Sequence, residues 1–240
     1  MNLNEQKKKW WNGLRNAATG EITTLELETE VLVDGYGIPR SLAKNSLDQL
    51  TPANEKQLIV MNHMYNMVHD WKGTPSTMIV TGGNGTGKSM LGAALVHTLA
   101  IEDALINGLH ISSRFTDEAS LTMRLSGFDT SGTFDLFARK IAVLVIDEFA
   151  MTQWSPADKK KIEQYLGVRY GNNLKTIIFT NRTPDELFGT GGQEAILSSQ
   201  LRSRYGSGYM VDMSGVDYRR NPEALKRAIE SGGHSEDWLF

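Results

Sequence analysis

Eight consecutive residues, Gly82-Gly83-Asn84-Gly85-Thr86-Gly87-Lys88-Ser89, satisfy the pattern G-x-x-x-x-G-K-[ST] and lead into Met90. The chemistry open to such a run is the capture of a nucleotide's phosphates. Glycines let backbone N–H groups converge on a shared concavity, and a following helix adds the partial positive charge of its N-terminus. Lys88 is expected to reach the β- and γ-phosphates, and Ser89 to ligate Mg²⁺. The flanks agree. Apolar Met78-Ile79-Val80-Thr81 precedes the loop, and the helix-forming run Met90-Leu91-Gly92-Ala93-Ala94-Leu95 follows it. A flexible turn that happens to contain Gly-Lys-Ser is the competing reading, and this context disfavours it.

A phosphate-bound metal needs an acidic partner, and Asp147-Glu148 offers one after the apolar run Ile141-Ala-Val-Leu-Val-Ile146. Ligands bind at the carboxyl edge of a parallel sheet. There Asp147 would hold the Mg²⁺ shell and Glu148 would polarise an attacking water. A mere cap for the next helix is the alternative. Asn181 ends a further strand candidate, Thr176-Ile-Ile-Phe-Thr180. Its amide would reach the water or the γ-phosphate if that strand lies beside 141–146. Arg204, in Ser203-Arg204-Tyr205, is a candidate arginine finger for a neighbouring subunit's site. Arg219, in Asp217-Tyr218-Arg219, is a candidate contact to the same phosphates. Surface ion pairs remain the alternative for both arginines.

The elements that must position these residues follow from pattern. Strand candidates are Met78–Thr81, Leu109–Ser112, Ile141–Ile146, Thr176–Thr180 and Tyr209–Met213, with helical segments between most of them. That is the texture of a five-stranded parallel sheet between helices, an α/β nucleotide-binding fold. The run 141–146 lacks alternation, as a strand buried on both faces should. Thr51-Pro52 predicts a helix start, followed by Leu58, Met61, Met64, Tyr65, Val68 and Trp71 at helical spacing, the methionines as core filler.

The 240 residues carry 28 acidic and 25 basic side chains, a net charge of −3, which excludes a whole-surface polycation. There are no cysteines, so disulfide scaffolds, thiolate zinc sites and cysteine nucleophiles are excluded. The five histidines are dispersed, which argues against a histidine metal site. No apolar run approaches the roughly 20 residues that span a bilayer, and Lys7-Lys8-Lys9 leads into Trp10-Trp11 rather than a signal core. The expectation is a soluble, cytoplasmic protein with no membrane partner.

The phosphate loop, Val143-Leu144-Val145-Ile146-Asp147-Glu148, Thr180-Asn181, Leu201-Arg202-Ser203-Arg204-Tyr205-Gly206 and Asp217-Tyr218-Arg219 occur in the order of the AAA+ ATPase motifs. They resemble Walker A, Walker B, sensor 1, the arginine-finger box and sensor 2. Within that superfamily the chain is similar to the DnaC/DnaI helicase loaders and their relative IstB. The lead-in Ile38-Pro39-Arg40, Ser46-Leu47-Asp48-Gln49-Leu50 and Glu55-Lys56-Gln57 shares the likeness. The resemblance implies ATP and Mg²⁺ as ligands, and a helical lid that is missing or vestigial. It implies catalytic roles for Glu148, Asn181, Arg204 and Arg219, and metal ligation by Ser89 and Asp147. The domains expected are an N-terminal arm and linker over 1–37, an AAA+ ATPase domain over 38–220, and a C-terminal helix and tail over 221–240.

The partners implied are a replicative ring helicase, single-stranded DNA, and further copies of the chain or assembly on the helicase. Trp10, Trp11 and Leu14 sit in a segment too short to hide them, which suggests docking by residues 1–20. Between the second and third strands, Arg114, Phe115, Arg124 and Phe128 could give DNA phosphate charge and stacking faces. Lys159-Lys160-Lys161 reads first as a solvated face. The expected function is ATP-dependent loading of a replicative helicase. An IstB-like ATPase assisting a transposase is the near alternative, and a P-loop small-molecule kinase the distant one.

Overall fold

The apolar runs align as one parallel sheet of β1 (Thr77–Thr81), β2 (Ser113–Asp117), β3 (Val143–Asp147), β4 (Lys175–Thr180) and β5 (Tyr209–Asp212), ordered β2-β3-β4-β1-β5. The computed structural model describes residues 29–105, 113–126, 136–189, 194–215 and 217–230. The helices among them are α1 (Glu55–His69), α2 (Lys88–Leu105), α3 (Glu118–Ser126), α4 (Pro156–Gly171), α5 (Pro184–Phe188), α6 (Ser199–Tyr205) and α7 (Pro222–Glu230). None of these is long and apolar enough to cross a membrane.

Strands β1, β3 and β4 are buried along their whole length, which is why their sequences do not alternate. Alternate residues feed two cores. Val143, Val145, Ile177 and Phe179 pack with Met61 and Met64 of α1 and Leu91 and Leu95 of α2. Leu144, Ile146 and Ile178 pack on the other face with Ile162 and Leu166 of α4 and Leu201 of α6. The α1 methionines are thus core filler, as their spacing predicts. Gly92 lets α2 approach the sheet, since a Cβ there would meet Phe179 at 2.6 Å and Val145 at 2.8 Å. The close approach fixes where the start of α2 stands.

The sheet order decides the site. β4 lies between β1 and β3, with Thr81 opposite Thr180 and Ile146 opposite Ile178. The carboxyl ends of β1, β3 and β4 therefore open on one edge.

The second strand of the described residues is Ser113–Asp117, whose Arg114 and Asp117 conceal its strand character. The strand expected at Leu109–Ser112 lies outside the described residues. Two expectations change. Helix α1 starts at Glu55 rather than after Thr51, because the Asn54 side chain accepts the Gln57 N–H as its N-cap. The stretch read as linker is docked, with Leu32 and Ile38 1% and 0% exposed in the core that α1 and α2 cover. Residues 1–28 and 231–240, and with them Trp10, Trp11 and Leu14, lie outside the described residues.

One buried charge holds the lower edge. Arg169 of α4 is 0% exposed, and its guanidinium donates to Ile141 O (2.8 Å), Lys175 O (2.7 Å) and Thr176 Oγ1 (3.0 Å). It ties the starts of β3 and β4 to α4. Arg169→Leu strands those acceptors in a dry interior and is expected to cost about 3 kcal/mol or more, read as a lower urea midpoint. Arg169→Lys should recover only part, because one ammonium cannot span the same fork.

Candidate active site

The loop between β1 and α2 turns on Gly82, Gly85 and Gly87, with φ of 143°, 75° and 94°. A side chain at Gly85 would collide with the Asp217 carboxylate, and one at Gly87 would meet Gln57 Nε2 at 2.9 Å. Glycine is therefore required there twice over, by backbone conformation and by close approach. Lys88 is buried, and its Nζ donates to the carbonyls of Gly82 (2.6 Å) and Gly83 (2.7 Å). Burial pulls its ammonium below the ordinary lysine range, while Asp147 acts against that shift. The charge sits in the bowl of the loop, beside the N-terminus of α2.

Asp147 closes β3 and is 7% exposed. Burial pushes its carboxyl up, opposed by hydrogen bonds from the Ser89 hydroxyl and the Glu148 N–H and by the Lys88 charge. Ser89 and Asp147 line the same cavity. Their oxygens are the hard donors that Mg²⁺ takes, together with phosphate and water. Among the described residues no three His, Cys, Asp or Glu side chains gather as a metal site. Ser89 and Asp147 supply two such oxygens at the phosphate loop, a donor set that fits a metal shared with a nucleotide's phosphates.

Glu148 is exposed and stands at φ 54°, a left-handed conformation that costs a non-glycine residue about 1 kcal/mol. The turn is held from outside. The Phe149 N–H donates to Phe179 O (2.9 Å), the Thr180 hydroxyl donates to Phe149 O (2.6 Å) and Arg182 Nε donates to Ala150 O (2.8 Å). These bonds to Phe179, Thr180 and Arg182 hold the turn, and Glu148 stands on the cavity wall. Just after β4, Asn181 Nδ2 donates to Asn84 Oδ1 at 2.7 Å, which sets its amide against the phosphate loop.

These groups share a cavity of about 710 Å³, lined by Asn84 through Met90, Asp147, Glu148, Asn181 and Arg219. That is the size of a small-molecule site. Arg219 arrives through its neighbours. Tyr218 is buried with its N–H donating to Gly85 O (3.2 Å), and the Arg219 Nε lies 3.9 Å from Asp217. Arg204 is elsewhere. It does not line the cavity, and its guanidinium stands 5.6 Å over the Tyr170 ring of α4.

The far end of the cavity escaped sequence reasoning. Leu42, Leu50, Ala53 and Leu225 give it apolar walls, with Gln49 and Thr51 beside them. These side chains can cover a nucleobase. The lead-in resemblance touches Gln49 and Leu50 but assigns them no task.

The DNA-facing candidates divide. Phe115 is 3% exposed in the core against α2 and cannot stack on a base. Arg114 is half-buried and donates to Gly35 O at 3.1 Å. Arg124 is exposed on α3, and Phe128 lies outside the described residues. Lys159-Lys160-Lys161 stands in the first turns of α4.

Sheet, phosphate loop and acidic pair together define a P-loop ATPase of the AAA+ class. The model of the family described as IstB-like ATP binding protein matches residues 49–223, and the chain belongs to that family. Among solved structures it is similar to DnaI, at 19% identity and a TM-score of 0.58, over 75% of this chain and 93% of that one. It is similar to the DnaC helicase loader at 20% identity and a TM-score of 0.57, over 72% of this chain and 99% of that one. It also resembles AMPPCP-bound DnaA from Aquifex aeolicus at 13% identity and a TM-score of 0.60, covering 81% of this chain and 57% of that one.

Proposed function

We propose that this ATPase loads a replicative ring helicase onto single-stranded DNA, with ATP binding and hydrolysis controlling release. The observation that carries the reading is the AAA+ core itself. It brings Lys88, Ser89, Asp147, Glu148, Asn181 and Arg219 to one cavity and matches nearly the full lengths of DnaI and the DnaC helicase loader.

In this mechanism the loop amides and Lys88 hold the β- and γ-phosphates. Ser89 and Asp147 would hold Mg²⁺, which supplies charge neutralisation at the phosphates. Glu148 takes the proton of the attacking water, and the Asn181 amide orients that water against the γ-phosphate. Arg219 approaches the phosphates from the C-terminal segment. Arg204 faces away from its own cavity, so its contribution comes to a second subunit's site. Of the four candidates between β2 and β3, Arg124 is the one exposed among the described residues and can meet DNA phosphate.

The second reading, an ATPase that assists a transposase, is favoured by the family model. One capture experiment separates the two. The tagged full chain, loaded with a non-hydrolysable ATP analogue and exposed to lysate of its native cell, is expected to retain a ring helicase identified by mass spectrometry. The purified helicase should then bind it directly. Retention of a transposase, with no helicase binding by the purified pair, would overturn the loader reading.

A further inference from the structure

We propose that Asn54 and Gln57 are positioning residues that lock the phosphate loop to the C-terminal segment, so that ATP at the loop is felt along Tyr218–Glu230. Gln57 is 2% exposed, and both ends of its amide are used. Its Nε2 donates to Thr86 O at 2.9 Å, and its Oε1 accepts the Ala53 N–H at 2.7 Å. Asn54 does two jobs. Its Oδ1 caps α1 by accepting the Gln57 N–H at 2.8 Å, while its Nδ2 donates to the Tyr218 hydroxyl at 3.0 Å. The Tyr218 N–H returns to Gly85 O at 3.2 Å, closing a circuit that begins and ends on adjacent loop residues.

Helix capping alone does not require this arrangement. A cap needs one acceptor, and serine supplies it as well as asparagine. The second half of the Asn54 amide, and the whole of the Gln57 side chain, serve contacts outside α1. Burying two amides is costly unless each polar atom is paired, and here each is. What they fix is the position of the loop, because the Gly85 and Thr86 carbonyls are held by the Tyr218 N–H and the Gln57 amide. What they connect is α7, because the Tyr218 ring packs with Ala53, Ala224 and Leu225, and Leu225 lines the same cavity.

The inference rests on the reading of this cavity as the ATP site, and the test separates the two. Steady-state ATPase kinetics and hydrogen exchange with and without AMPPCP are measured on the full chain. In wild type, AMPPCP is expected to slow exchange across Tyr218–Glu230. In Gln57→Met, which keeps the side chain's length and loses both hydrogen bonds, KM for ATP should rise about tenfold, the scale of a lost buried hydrogen bond. The kcat should change by less than about twofold, because the groups that act on water are held from β3 and β4. Asn54→Ser keeps the cap but is too short for Tyr218, so its melting temperature should stay near wild type while the AMPPCP protection is lost. A lower melting temperature in either variant with KM and protection intact would make both residues purely structural and overturn the proposal. AMPPCP binding by Lys88→Ala at wild-type affinity would instead overturn the site reading beneath it.

Discussion

Glu148→Gln is expected to lower ATP turnover by about a hundredfold while leaving nucleotide affinity near wild type. Glutamine matches the shape of glutamate, so the left-handed turn and its bonds to Phe179, Thr180 and Arg182 stay as they are. Only the capacity to accept a proton is removed. The contrast is Lys88→Ala, which removes the buried ammonium from the loop and should abolish nucleotide binding itself. Single-turnover hydrolysis together with binding of a fluorescent ATP analogue distinguishes the two defects. Wild-type hydrolysis by Glu148→Gln would show that another group activates the water.

The larger effect is expected from Arg204→Ala, about a thousandfold in kcat if the guanidinium supplies transition-state charge to a neighbour. ATP affinity should hardly change, since Arg204 does not line the cavity of its own chain. Losing its stacking on Tyr170 should cost only about 0.5–1 kcal/mol, so the fold survives. Complementation is the decisive readout. A mixture of Arg204→Ala and Lys88→Ala chains, each inactive alone, should regain part of the activity. In a mixed assembly the intact pocket of the first meets the intact arginine of the second. No recovery at concentrations where both assemble would leave Arg204 as a packing residue of α4 and α6.

Between the two predictions lies a difference in how the residues could be found. Glu148 is legible because it adjoins Asp147 at the end of an apolar strand, and strand ends at the carboxyl edge are where ligands bind. Asn181 is legible only on the condition that its strand lies next to β3. The sheet order meets that condition and also places β1 on the other side. Arg204 and Arg219 look alike in the sequence, each an arginine beside a tyrosine late in the chain. Folding separates them, one into the cavity and one onto α4.

The sequence by itself determined whatever depends on neighbours along the chain. The phosphate loop is a contiguous run whose glycines set its backbone, and the central strands are apolar runs that only a doubly covered sheet can hide. Helix α1 follows from its apolar spacing, though its first residue does not. The tertiary structure decided what depends on meetings between distant segments. Strand β2 carries arginine and aspartate because it is an edge strand of the sheet, joined to it through β3. The wall opposite the phosphates unites Leu42, Leu50 and Leu225, residues with no common pattern, because α7 folds back over the segment before α1. Arg169 is buried because two oxygens of β4 and one from Ile141, just before β3, converge on one guanidinium. Gln57 reads as one more polar residue in the first turn of a helix, and only the approach of the phosphate loop makes it a link. Local chemistry is written in order along the chain, whereas the value of a buried polar group is set by partners that the fold alone supplies.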